Sequence, residues 1–517
     1  MLKSVIEDYL TSTKELQLFL PFMQLLELKG FYDIHLTHGG TEFGKDIIAK
    51  MRTGATDIQY SFQLKAGDVN LGKFRDDVRP QLIEACINKL SHPNFDSSLP
   101  YQVVFVTSGS LLQPAAIAFQ EFNRFVDKTL KSLPIETWER QKLTSDFLIS
   151  GIEPFFELHR SPELVGRFFH FYSQITNNDS IDSFNIEEYT KHWLELDWNN
   201  SLNKLQVLFE SYFFSKLLMD KGKQYEATLV LSALVRTLLK NESYNSYREA
   251  IEMYFDEIST TLLRVVESKS RDTEPLDLYG EGFFKIFYYP SSCLRTLEVF
   301  SLHILTSVKP LKEIESLFLR ILKEEKGCCY VLSNNYAISV VLISLVLLKL
   351  GETERLRIFL NNVCVWLCDR HEDIGISPIG SSRQEEFEQL LSEYLTGLSF
   401  QKETSSFLAC ALLDMAYLLG DKSLFEHIAN DLKAVGVALE FYHILSDDAL
   451  YTYNHREIVT SFDPDFSIKF KNEYSRMIQH ERKQNSISVR DRAILFLMFL
   501  LRDRYFPSFI KDFANQS

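Results

Sequence analysis

An acid at 46, a glutamine at 63 and a lysine at 65 are the side chains of this 517-residue chain best suited to chemistry. They lie in one stretch: GGTEFGKDII from Gly39, a short turn, then YSFQLK ending at Lys65. From Ile58 onward Ile58, Tyr60, Phe62 and Leu64 are apolar, and Gln59, Ser61, Gln63 and Lys65 are polar. Strand side chains alternate between faces, so Gln63 and Lys65 share one face, roughly 7 Å apart. The apolar set is expected to face a core and the polar set solvent or a cleft. The preceding run DIIAKM breaks at Arg52–Asp57, where Gly54 and Asp57 supply turn chemistry. A hairpin of the two runs would put Asp46 opposite the Gln63–Lys65 end. The Asp46 carboxylate, the Gln63 amide oxygen, waters and a phosphate would then form an oxygen-rich cluster for a hard divalent cation. Lys65 would be free to orient or activate an attacking water. A lone Gln-x-Lys has a second reading, a hairpin with a polar edge and no chemistry.

The flanking elements must position these groups. Leu25, Leu26, Gly30 and Phe31 precede the motif, and VVFVTSGSLLQPAAIAF, from Val103 to Phe119, and PIETWERQKLTSDF, from Pro134, follow it. Taken in order with the glycines, the acid and the Gln-x-Lys hairpin, this pattern resembles the PD-(D/E)xK restriction-endonuclease-like superfamily in its Mrr-like branch. In that branch the three flanking segments look like the end of the first helix and its exit, a strand, turn and helix, and the last short strand with the closing helix. The likeness covers residues ~15–150 and implies an α/β restriction-endonuclease-like N-terminal domain. It implies that Asp46 and Gln63 bind Mg2+ (or Mn2+), that the Leu64 carbonyl completes the metal shell, and that Lys65 is the catalytic lysine. The implied activity is metal-dependent hydrolysis of DNA phosphodiester bonds, in prokaryotic antiviral defence against foreign DNA. Such domains often work in pairs, so a homodimer or larger oligomer is expected, with a companion protein subunit as a further partner.

Two positions depart from the family pattern. The family's first-helix acid falls on Phe19, with Glu15 one turn earlier as the substitute, and Trp138 stands where an aspartate is common. Gln63, being neutral, should also bind a cation less tightly than a second carboxylate would. Glu42, four residues before Asp46, would restore charge as a further ligand if the loop turns it inward; otherwise it is a solvated loop acid. The same residues, Gly39 to Lys45, have the GxxxxGK spacing of a phosphate-binding loop. That loop needs Ser or Thr next, and Asp46 would repel the phosphates.

Charge limits where nucleic acid could bind. Of the formal −15, residues 1–150 carry 16 basic against 18 acidic side chains, so nearly all of the surplus lies beyond 150. Contact with DNA must therefore be local to the N-terminal domain. Lys45, Lys50, Arg52, Lys73, Arg75 and Arg79 cluster in sequence around the motif, and Lys45, Lys73, Arg75 and Arg79 are the candidate phosphate contacts. Seven cysteines without a Cys-x-x-Cys read as reduced thiols of a cytoplasmic protein. Cys364, Cys368 and His371 could share a helix face, but three ligands without a partner pair read as core residues. The longest apolar run, Ala337 to Leu348, is too short to cross a bilayer.

Beyond about residue 150 strand signals fade, and residues 151–517 are expected to form a large all-α, helical-repeat-like region with a sub-boundary near 270. Two stretches read as helical hairpins with Leu-Gly turns at Gly351 and Gly420, and a third, LSALVRTLLKNESYNSYREAIEMYF, is weaker. Loops are expected near Ser268–Pro275, Ile374–Arg383 and Ser446–Pro464. The final SISVRDRAILFLMFLLRDRYF reads as a helix that caps the stack, enters the core or packs in a dimer. Besides a DNA endonuclease restrained by its acidic helical region, two alternatives stand. One is an inactive nuclease-fold interaction protein; the other is a nuclease acting on RNA.

Overall fold

A computed structural model describes residues 2–37, 43–54, 56–88, 92–130, 133–150, 161–177, 181, 183–270, 285–373, 405–442, 451, 459–462 and 492–502. The chain divides into two compact units, residues 1–168 with 196–213, and residues 169–195 with 214–517. The first holds a mixed five-stranded sheet and the second is mainly helical.

In the first unit, α1 (Leu2–Ser12) and α2 (Glu15–Leu28) precede β1 (Phe31–Leu36). The hairpin β2 (Ile47–Thr53) and β3 (Thr56–Lys65) follows, paired Ile47↔Phe62 through Thr53↔Thr56. A helical segment then runs from α3 (Leu71–Lys73) through a π-helical turn, Phe74–Val78, into α4 (Arg79–Ile87). β4 (Tyr101–Thr107), α5 (Gln113–Phe125), β5 (Glu136–Trp138) and α6 (Arg140–Ser150) complete it. Strand order is β1-β2-β3-β4-β5, antiparallel up to β3 and parallel from β3 to β5. Strands pair in parallel only through long crossovers, here supplied by α4 and α5.

Both faces of this sheet are covered, which alters the expected character of β3. Phe62 packs edge-on to Phe22, Phe31 and Trp138, with ring centroids 5.4, 5.6 and 5.6 Å away. Trp138 is thus core, filling the position where the family pattern has an acid. The opposite face, expected to meet solvent or a cleft, is instead buried beneath α4 and the segment before β4. Gln59 donates to the Ala49 carbonyl at 3.0 Å and accepts from the Asp96 amide at 3.2 Å. Ser61 meets the Tyr101 hydroxyl, which donates to the Ala85 carbonyl at 3.1 Å. Buried polar groups must find partners, and these do so within the sheet and its covering layer.

The second unit bears out the two glycine-turn hairpins. Helices Ala337–Lys349 and Thr353–Asp373 turn at Gly351, φ 72°, and helices Phe407–Leu419 and Lys422–Val435 at Gly420, φ 75°. Only glycine adopts that left-handed conformation without strain. The Asp421 side chain then accepts from the Leu424 amide and starts the next helix. The two hairpins pack on each other through Ala337–Lys349 and Phe407–Leu419, as stacked helical units do. The third hairpin, Gln224–Lys240 with Tyr244–Ser270, turns through Glu242 at φ 52°. Ile494–Leu500 is helical and buried throughout, so the C-terminal helix enters the core over its described residues.

This unit also holds strands that the pattern did not reveal: β6 (Ser405–Ser406), β7 (Ala438–Tyr442) and β8 (Val459–Phe462) in one sheet. β8 falls inside the expected Ser446–Pro464 loop. The Ile374–Arg383 loop lies outside the described residues, and the Ser268–Pro275 loop does so beyond 270.

Candidate active site

Asp46 immediately precedes β2 and is held on both sides by the sheet. Its amide donates to the Phe62 carbonyl at 2.9 Å, and its carbonyl accepts from the Thr37 amide at 2.9 Å. Its carboxylate therefore faces the C-terminal end of β3. There Oδ2 accepts from the Gln63 side-chain Nε2 at 2.8 Å and from the Leu64 amide at 2.6 Å. The sequence placed these residues together, and their contacts are direct. Leu64 enters through its N–H donated to Asp46.

Asp46 is 3 % exposed and Gln63 2 % exposed. The Gln63 Oε1 is buried with no hydrogen-bond partner among the described residues. A buried acceptor left unsatisfied costs about 1–3 kcal/mol, so this oxygen is a standing demand for a proton donor or a cation. The terminal torsion of a glutamine is soft and roughly two-fold. One side chain can thus offer nitrogen to a bare carboxylate and oxygen to a cation beside it. Among the described residues, no three His, Cys, Asp or Glu side chains are placed to hold a metal ion. The donor set here is one carboxylate and one amide oxygen, which suits a hard cation that keeps several waters. Glu42 lies outside the described residues.

Lys65 ends β3 with its ammonium between two acids, 3.6 Å from Glu15 Oε2 and 3.6 Å from Asp77 Oδ1. Glu15, at the start of α2, thus stands beside the lysine, while Phe19 one turn later is buried in the core. Sequence reasoning missed Asp77. Its only signal was an acid a dozen residues after Lys65 on a helix that returns past the strand end.

Two close approaches fix the site's surroundings. Gly44 has φ 69°, and a Cβ there would sit 2.1 Å from the Gln81 carbonyl oxygen, so the loop carrying Asp46 rests directly on α4. A Cβ on Gly109 would sit 2.2 Å from the Gly67 carbonyl carbon. That contact joins the loop after β3 to the TSGS turn after β4. Ser108 N–H donates to the Lys65 carbonyl at 3.1 Å, Gly67 N–H to Ser108 Oγ at 2.9 Å, and Thr107 Oγ1 to the Gly67 carbonyl at 2.8 Å. The TSGS turn is therefore the clamp on the strand end that bears Gln63 and Lys65.

The basic residues sort differently from expectation. Lys45 is fully buried and donates to the Asn88 carbonyl at 2.7 Å, so it cannot reach a phosphate. Burial pulls its ammonium down to about 8 from the ordinary 10.5. Lys50 pairs with Asp33 at 2.6 Å, and Lys73 donates to the Ala66 carbonyl at 2.8 Å. Arg75 and Arg79 are exposed, Arg79 lying 5.6 Å over the Phe122 ring. Arg75 and Arg79 are the candidate phosphate contacts that reach solvent. Among the described residues, no helix is long and apolar enough to cross a membrane.

No family model, curated protein or solved structure matches this chain. What the site can do rests on its own geometry.

Proposed function

We propose that this chain is a metal-dependent endonuclease that hydrolyses phosphodiester bonds in DNA. Its N-terminal sheet unit would be a restriction-endonuclease-like domain, a reading supported by the hairpin followed by two parallel crossovers. The observation that carries the proposal is the junction of Asp46, Gln63 and Lys65 at one strand end, with a buried amide oxygen awaiting a partner. Asp46 and Gln63 would hold Mg2+ or Mn2+, which when bound supplies Lewis-acid stabilisation of charge on the phosphate. Lys65 supplies a second positive charge beside the reacting group and orients a water. The sheet keeps the carboxylate and amide out of bulk water, in a lower-dielectric setting that strengthens their electrostatic effect. The acidic helical region would hold DNA away until rearranged, and a homodimer would place two sites for two strands. Defence against foreign DNA would be the setting for such a restrained nuclease.

Incubation with plasmid DNA and with RNA, plus Mg2+ or Mn2+, tests this. Wild type should cut DNA. Lys65→Ala and Asp46→Ala should each lose activity by on the order of 10²–10³-fold, with the fold retained by circular dichroism. Equal cutting by wild type and Lys65→Ala would sink the assignment, and cutting of RNA alone would transfer it to RNA. A second reading, an inactive nuclease-fold interaction protein, is favoured by one observation: two donors already satisfy the Asp46 carboxylate. Mn2+ that leaves the melting temperature unchanged would favour that reading.

A further inference from the structure

We propose that Asp77 is a positioning residue for Lys65, holding its ammonium from the α4 side while Glu15 holds it from α2. The inference rests on the nuclease reading, in which the lysine must stand at one place beside the reacting phosphate. A lysine ends in a compact charge on a flexible four-carbon stem, so its partners set where that charge stands. The Lys65 side chain is 10 % exposed, against 32 % for Glu15 and 43 % for Asp77. The cation therefore lies inside and the two anions sit at the rim. Removing one anion leaves a nearly buried charge less compensated and free to swing toward the other.

Asp77 reaches this place because of the π-helical turn. Phe74 and Val78, at the two ends of the turn, are buried in the core with Phe119 and Phe122. Between those anchors the wider turn carries an extra residue in the helical path, and Asp77 ends at the strand tip. Its Oδ1 also accepts from Gln81 Nε2 at 2.9 Å. Gln81 in turn gives its carbonyl to the close approach at Gly44, two residues before Asp46. One helical segment thus touches both the lysine and the loop that carries the acid.

Asp77→Asn tests this cleanly, since an asparagine oxygen keeps the Gln81 hydrogen bond and loses only the charge. Expected are a fall in kcat on the order of tenfold or more, KM for DNA nearly unchanged and only a small fall in melting temperature, since Glu15 stays beside the lysine and Asp77 is partly exposed. Asp77→Glu should recover most of kcat. The Lys65 resonance in the 13C-dimethyl-lysine spectrum, assigned with Lys65→Arg, should shift in Asp77→Asn. An unmoved resonance, or unchanged kcat alongside an inactive Lys65→Ala, overturns the positioning role and leaves the nuclease reading standing. A large fall in melting temperature with proportional loss of all activity, unrescued by Glu, marks a structural residue and also overturns it. If wild type cuts no nucleic acid, the nuclease reading fails. The resonance then still decides whether Asp77 places the lysine.

Discussion

Buried charge is handled in two ways in this protein. In the helical unit, one terminal nitrogen of Arg236 donates to both oxygens of Glu187 and the other donates to Thr190 Oγ1 at 3.2 Å. Arg502 likewise spans both oxygens of Glu298, which also accepts from Ser339 Oγ. The Arg502–Glu298 pair is bidentate, and in both pairs close charge-assisted hydrogen bonds work against the cost of desolvation. At the end of β3 the match is looser. Lys65 has two acids at 3.6 Å, and the buried Gln63 oxygen has no hydrogen-bond partner among the described residues. The guanidinium–carboxylate pairs of the helical unit are joined by short direct hydrogen bonds, while the lysine at the strand end is held by longer ion pairs.

The comparison sharpens most at Glu298. Glu298→Ala strands a nearly buried guanidinium, and its cost should be about 3–5 kcal/mol, read as a fall in the denaturation midpoint with the per-site activity of the folded fraction intact. A loss below 1 kcal/mol would mean the pair is not closed as described. Glu298 and Arg502 are 204 residues apart, so the same variant should loosen the C-terminal helix, visible as faster amide exchange in Ile494–Leu500.

Lys45 gives the next largest effect, and its sign is definite. Its folded value, about 8, lies below the ordinary 10.5. Between those values the unfolded chain holds a proton that the folded chain has lost, so stability should rise with pH across that window and be flat below it. The rise should reach roughly 3 kcal/mol, measured as the difference between wild type and Lys45→Met in denaturant titrations. A flat difference from pH 8 to about 10.5 would show that the ammonium is solvated.

Gln63→Glu is the smallest change and bears directly on the strand end. Two carboxylates would then face each other, so the metal-free protein should melt at a lower temperature. Mn2+ should bind on the order of tenfold tighter than to wild type and restore the lost stability. Unchanged Mn2+ affinity would remove residue 63 from the ligand set.

Much of the hairpin from Asp46 to Lys65 was legible because its signals are local. Alternation from Ile58 to Lys65 and turn residues at Gly54 and Asp57 define β2 and β3, and the register Ile47↔Phe62 then carries Asp46 to Gln63. Gly351 and Gly420 were legible for a similar reason, since a left-handed turn leaves few choices of residue. Lys45 was misread because a lysine is ordinarily solvated, and nothing nearby in sequence announces the Asn88 carbonyl that receives it. Asp77 was invisible because its role depends on a π-helical turn, which has no sequence signature of its own. The strands of two and four residues in β6 and β8 are too short to show a period.

The backbone contact between Gly67 and Gly109 has a practical consequence for engineering. Gly109 cannot accept a label, a cysteine graft or an inserted peptide without prising apart the ends of two neighbouring strands, and with them the lysine; at Gly67 the left-handed backbone, φ 71°, strains any side chain. Probes belong at the opposite pole of the hairpin, where Arg52, Thr53 and Gly54 are exposed. A fluorophore or affinity tag at that tip should report on the domain without silencing it.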